Sequence, residues 1–77
     1  MTSKHDQKYK MLGLNIAYYR KLKGLTQLEL AEKVNISRTH MSNIEARNSH
    51  TSLSLNKLMD IAEALEVPVK SLFEFKN

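Results

Sequence analysis

The chain has 77 residues and a mass of 8.9 kDa, enough for one small domain at the edge of what an unaided core can hold. No cysteine, two glycines and one proline exclude a disulfide framework, a thiolate zinc site, a β-sandwich and a glycine-rich phosphate loop. Twelve Lys and Arg against eight Asp and Glu give a net charge of +4, which permits a polyanionic partner without demanding one. The longest apolar runs are only a few residues, too short for a membrane span or a secretory signal.

Helical periodicity runs through the whole chain and no strand pattern competes with it. Residues 1–7 are polar and uncapped and are expected to form a flexible tail, leaving 8–77 as a single domain. Leu12, Ile16, Tyr19 and the aliphatic stem of Lys23 define one face of a first helix over about 8–23. Gly24 follows, suited to the left-handed residue that ends a helix. Thr26 and Glu29 are spaced as a capping box for a second helix over about 26–33, with Leu30, Ala31 and Val34 inward. Asn35 tolerates a left-handed turn, Ile36 plugs the core across it, and Ser37 caps a third helix over about 37–46. Met41 and Ile44 point that helix inward and leave Arg38, Thr39, Ser42 and Asn43 on the other side. A polar loop over 47–53 leads to a fourth helix, capped by Ser54 and carrying Leu55, Leu58, Ile61, Ala62 and Leu65 inward through about Glu66. Pro68 is expected to open a last short helix, docked by Val69, Leu72 and Phe73. The fold class read from this is all-α, with five short helices.

The charge is unevenly placed: residues 1–23 carry a balance of +5, and the remaining segments nearly cancel. From Ser37 to Asn56 the chain is instead dense in Ser, Thr, Asn and His, with only Arg38, Glu45 and Arg47 formally charged. A merely solvated surface more usually carries Lys and Glu. Catalytic and metal chemistry find no support. His5, His40 and His50 lack metal-ligand spacing, and Glu63 with Glu66 reads as an exposed acidic face. The polar loop offers no group to orient a Ser–His pair. No metal, cofactor or small-molecule ligand is expected.

The second and third helices, joined by about three residues at a left-handed turn, have the spacing of a helix-turn-helix. Such a unit places its second helix in the DNA major groove. Arg38 presents a planar fork suited to guanine O6 and N7, and Asn43 an amide suited to adenine N6 and N7. Thr39 and Ser42 add hydrogen bonds on the same side. Gln27, beside the backbone N–H groups that open the second helix, suits a phosphate. Arg47, Asn48, Ser49 and His50 suit the flanking backbone.

From Leu12 to Phe73 the chain resembles the Cro/repressor-type (XRE) helix-turn-helix family. The resemblance is densest in the run GLTQLELAEKVNISRTHMSNIE, Gly24 to Glu45. It implies a five-helix, repressor-like domain that binds an operator as a symmetric dimer. By position it implies Thr26 and Gln27 at phosphates, and Ser37, Arg38, Thr39 and Asn43 at bases or nearby backbone. It also implies an internal ion pair between Arg20 and Glu45. Two departures stand out: Asn35 where glycine is commonest, and Arg47, in a longer loop, where the family often has glycine.

The run Arg38-Thr39-His40-Met41-Ser42 is similar, more narrowly, to the controller proteins of restriction–modification systems. The function expected is therefore sequence-specific binding of double-stranded DNA by a cytoplasmic transcriptional regulator. It would act as a homodimer on an inverted repeat, with no membrane association. With no ligand domain following, control would come from dimer assembly and operator occupancy. The apolar excess around Val67, Leu72, Phe73 and Phe75 is the expected dimer surface. The alternative is an antitoxin-like interaction module that silences a partner protein, for which the polar loop and Phe75 speak.

Overall fold

The computed structural model describes residues 4–46 and 53–74. Four α-helices follow one another, α1 (Asp6–Leu22), α2 (Gln27–Lys33), α3 (Arg38–Glu45) and α4 (Leu55–Leu65), and a 3₁₀ helix (Val69–Phe73) closes the order. No strand occurs among the described residues. The helix starts follow the side chains expected to cap them. Thr26 and Glu29 make both arms of a capping box, with the Glu29 N–H donating to Thr26 Oγ1 at 3.0 Å and the Thr26 N–H to Glu29 Oε1 at 2.8 Å. Ser37 Oγ accepts the His40 N–H, and Ser54 Oγ the Lys57 N–H, so α3 and α4 open on serine caps.

Three helices end in the same way. Gly24 (φ +80°), Asn35 (φ +63°) and Glu66 (φ +61°) each take the left-handed conformation. In each case the next residue's N–H reaches back five positions to a carbonyl: Leu25 to Arg20, Ile36 to Ala31 and Val67 to Ala62. This Schellman closure satisfies carbonyls the helix leaves open and reverses the chain within two residues. At Asn35 it sets the angle between α2 and α3. Helix α3 itself ends differently, with Ala46 extended.

Two boundaries depart from expectation. Helix α1 begins at Asp6, inside the expected tail, because the Tyr9 N–H already bonds the His5 carbonyl at 3.1 Å and Asp6 suits a helix N-terminus. The expected fifth α-helix is a 3₁₀ stretch. Pro68 is the extended residue ahead of it (φ −65°, ψ +146°), not its first helical residue, and five residues are too few to sustain an α-helical ladder.

The core lies where all five elements meet. Leu12 and Ile16 of α1, Leu30 and Ala31 of α2, Met41 and Ile44 of α3, Leu58, Ile61, Ala62 and Leu65 of α4, Val34 and Leu72 are buried together. Leu55, expected inward, is 65% exposed, because it precedes Leu58 by three residues at the rim of the buried stripe. Lys23 is exposed and ion-paired with Glu66. A single side chain from α1 fastens the far end of the chain: Asn15 Nδ2 donates to the carbonyls of Leu72 at 2.9 Å and Glu74 at 3.2 Å.

Candidate nucleic-acid interface

Helix α3 buries Met41, Ile44 and Glu45 and turns its other side outward. At about 100° per residue, Arg38, Ser42, Thr39 and Asn43 fall in that order across a continuous arc of about 140°. Arg38, Thr39 and Asn43 are exposed, Ser42 within the arc is half-buried, and so is His40 just beyond Asn43. Ser37 and Thr26 are exposed at the N-terminal ends of α3 and α2, where each is occupied as a cap. The arc holds four hydrogen-bonding side chains and one fixed positive charge. That chemistry fits base edges better than it fits a protein core or a solvated face.

The back of the helix is locked. Glu45 receives Arg20 in a bidentate pair, Nε to Oε2 at 2.7 Å and Nη2 to Oε1 at 3.0 Å. Arg20 Nη1 also donates to the Leu25 carbonyl at 2.8 Å, so α1, the turn after it and α3 share one guanidinium. Both side chains are nearly buried, at 10% and 5% exposure, where such a pair is weakly screened and geometrically demanding. Gln27, expected at a phosphate, turns its amide inward: Nε2 donates to Glu45 Oε1 at 3.0 Å. A second support comes from α4. Lys57 Nζ donates to the Val34 carbonyl at 2.6 Å, placing a cation at the negative end of α2 just before the turn. Neither the Lys57 nor the Asn15 hydrogen bond was marked by any local sequence signal, since the carbonyls they reach lie at least 23 residues away.

The other expected sites divide. Arg47, Asn48 and Phe75 lie outside the described residues. On the expected dimer surface, Phe73 is 47% exposed and Val67 half-buried, but Leu72 is wholly buried in the chain's own core. Leu72 therefore has no surface to offer a partner. Among the described residues no cluster of His, Asp and Glu is arranged to hold a metal ion, and no helix is long and apolar enough to cross a membrane.

The helix-turn-helix family matches residues 16–72 of this chain. The chain is 39% identical over 67 residues to the HTH-type transcriptional regulator SinR of Bacillus subtilis (strain 168), across 87% of this chain and 60% of that protein. It thus spans less than two thirds of that regulator's length. A crystal structure of SinR, the master regulator for biofilm formation, in complex with DNA matches with a TM-score of 0.73 at 38% identity, covering 82% of this chain and 98% of the other. The restriction-modification controller protein C.AhdI from Aeromonas hydrophila matches with a TM-score of 0.82 at 25% identity, covering 92% of this chain and all of that one. With its Schellman turn at Asn35, its serine-capped α3 and a family match over most of its length, this chain belongs to the XRE-type helix-turn-helix family.

Proposed function

We propose that this chain is a sequence-specific regulator of transcription that reads double-stranded DNA with α3 in the major groove. The observation that carries the reading is the polar arc of α3 mounted on a buried ion pair. A reader of bases needs hydrogen-bonding groups on the outside and a rigid mount behind them. The DNA complex of SinR supports it from a relative of similar fold. In this reading Arg38, Thr39, Ser42 and Asn43 face bases, while Ser37, Thr26 and Gln27 stand at the backbone. One proton of the Gln27 amide is committed to Glu45, which leaves the other for a phosphate oxygen. Arg47 and Asn48 complete the backbone contacts.

The regulator acts in the cytoplasm as a homodimer through Val67, Phe73 and Phe75, on an inverted repeat with half-sites about one helical turn, roughly 34 Å, apart. Control of a restriction–modification operon is the specific role proposed, supported by the likeness to C.AhdI and by the run Arg38 to Ser42. Selection of bound duplexes from a random pool tests the whole reading. A palindromic consensus is expected, and a pool that stays random refutes it. Arg38→Ala should weaken the selected site by about 1–3 kcal/mol and relax one guanine, whereas Gln27→Ala should weaken all duplexes alike. Sedimentation that shows only monomer on and off the selected duplex removes the dimer. Stoichiometric co-purification of an unrelated protein that blocks DNA binding would favour the interaction-module reading instead.

A further inference from the structure

Glycine at position 13 sits in the middle of α1, where a glycine weakens a helix relative to alanine, so its presence calls for a reason. The reason is contact. A Cβ on Gly13 would lie 2.5 Å from the carbonyl oxygen of Ile44 and 3.4 Å from the Cα and carbonyl carbon of Glu45. The backbone of α1 therefore presses directly on the last turn of α3, next to one of the carbonyls the helix leaves unbonded. Seven residues along the same face of α1, Arg20 takes the Glu45 carboxylate. The C-terminal turn of α3 is thus fixed at two points, by main chain at Gly13 and by ion pair at Arg20. Its N-terminal turn is fixed separately, by the Ser37 cap and the Ile36-to-Ala31 hydrogen bond.

Resting on the reading of α3 as a base-reading helix, we propose that Gly13 is a positioning residue that sets base selection at one end of that helix. Any side chain at position 13 must drive the Ile44 turn back by at least about 0.5 Å, which is the tolerance within which a recognition group has to be held. The displacement is graded along the helix. Asn43, adjacent to Ile44, takes nearly all of it, and Arg38, beside the anchored turn, takes little. The base read by Asn43 should lose definition while the base read by Arg38 keeps it. A residue important only for stability gives no such gradient, because unfolding removes every contact together.

The test is selection from a random duplex pool with four proteins: wild type, Arg38→Ala, Asn43→Ala and Gly13→Ala. The two direct variants identify the base position each side chain reads. Gly13→Ala is then expected to lower preference at the Asn43 position by about tenfold and at the Arg38 position by less than about twofold, with binding to random duplex nearly unchanged. Glu45→Asp moves the same turn from the Arg20 side, by one methylene, and is expected to give the same pattern even where Gly13→Ala does not fold. Equal loss at both positions, or none, overturns the proposal and leaves the DNA-reading function intact. A wild-type pool that stays random overturns the function itself.

Discussion

Glu45→Gln is a nearly isosteric change whose cost follows from counting donors. Three N–H groups converge on the two carboxylate oxygens: Arg20 Nε on Oε2, and Arg20 Nη2 with Gln27 Nε2 on Oε1. Glutamine turns one of those oxygens into a donor, so in either amide orientation at least one N–H faces another N–H. The less costly orientation sacrifices the 2.7 Å Arg20 Nε bond and keeps the other two. One charge-assisted hydrogen bond contributes about 1.5–3 kcal/mol, and a guanidinium left without its counter-charge in a nearly buried site brings the total to about 3–5 kcal/mol. For 77 residues at about 0.05–0.15 kcal/mol each, the whole domain holds only about 4–12 kcal/mol. The Tm should fall by about 12–40 °C, at about 4–8 °C per kcal/mol for a domain of this size. Circular dichroism against temperature and urea reads both quantities, and an unchanged urea slope confirms that the two end states are the same. A loss below about 1 kcal/mol would mean that water screens the pair as it does a surface ion pair, and the account of α3 as rigidly mounted would fail.

Leu72→Ala should lower monomer stability by about 2–5 kcal/mol in urea, since Leu72 is fully buried. Phe73→Ala, at a residue 47% exposed, should cost less stability than Leu72→Ala and weaken self-association in sedimentation; a reversed pattern would exchange their roles. Thr26→Ala removes the hydroxyl arm of the α2 capping box, leaving the backbone N–H bond to Glu29, and should cost about 0.5–2 kcal/mol, most of which Thr26→Ser restores. Glu66 has its carboxyl held below the ordinary carboxylate range by the Lys23 hydrogen bond and charge, with a smaller contribution from Lys33. A depressed folded-state pKa contributes stability above the unfolded value, and that stability disappears as pH falls through the folded value. Lys23→Met should move the Glu66 titration upward by carboxyl NMR and flatten the acid limb of the stability curve; an unmoved titration would show that Lys23 does not hold it.

Most of the framework was legible because helix ends are decided by local chemistry. Thr26, Ser37 and Ser54 act as caps on the structure's own hydrogen bonds, and Gly24 and Asn35 take the left-handed turns expected of them. Glu66 takes the same turn without any such sign, because a glutamate there is neither small nor self-bonding. The outward arc of α3 followed from periodicity alone. What was not legible depends on groups distant in sequence. The inward turn of Gln27 reflects a carboxylate 18 residues away, and the sequence around Gln27 reads equally well as a phosphate contact. Leu72 shows the same limit in apolar form. A leucine near a chain end has the same sequence signature whether its partner is its own core or a second copy. Leu55 was misplaced because a heptad-like stripe does not reveal where the opposing helices stop.

The amide of Asn15 bridges 57 residues to reach Leu72 and 59 to reach Glu74, and the neighbouring Leu12 and Ile16 share a core with Leu72. During synthesis, at about 5–20 residues per second, those 57 residues take about 3–11 s to appear. Small helical domains complete folding in about microseconds to milliseconds once their contacts are available. Helix α1 therefore spends seconds with its inner face only partly covered, while α2, α3 and α4 are made in turn. The last piece of the core arrives with the 3₁₀ helix, so the pace of the ribosome, rather than the search for the fold, decides when the core is complete.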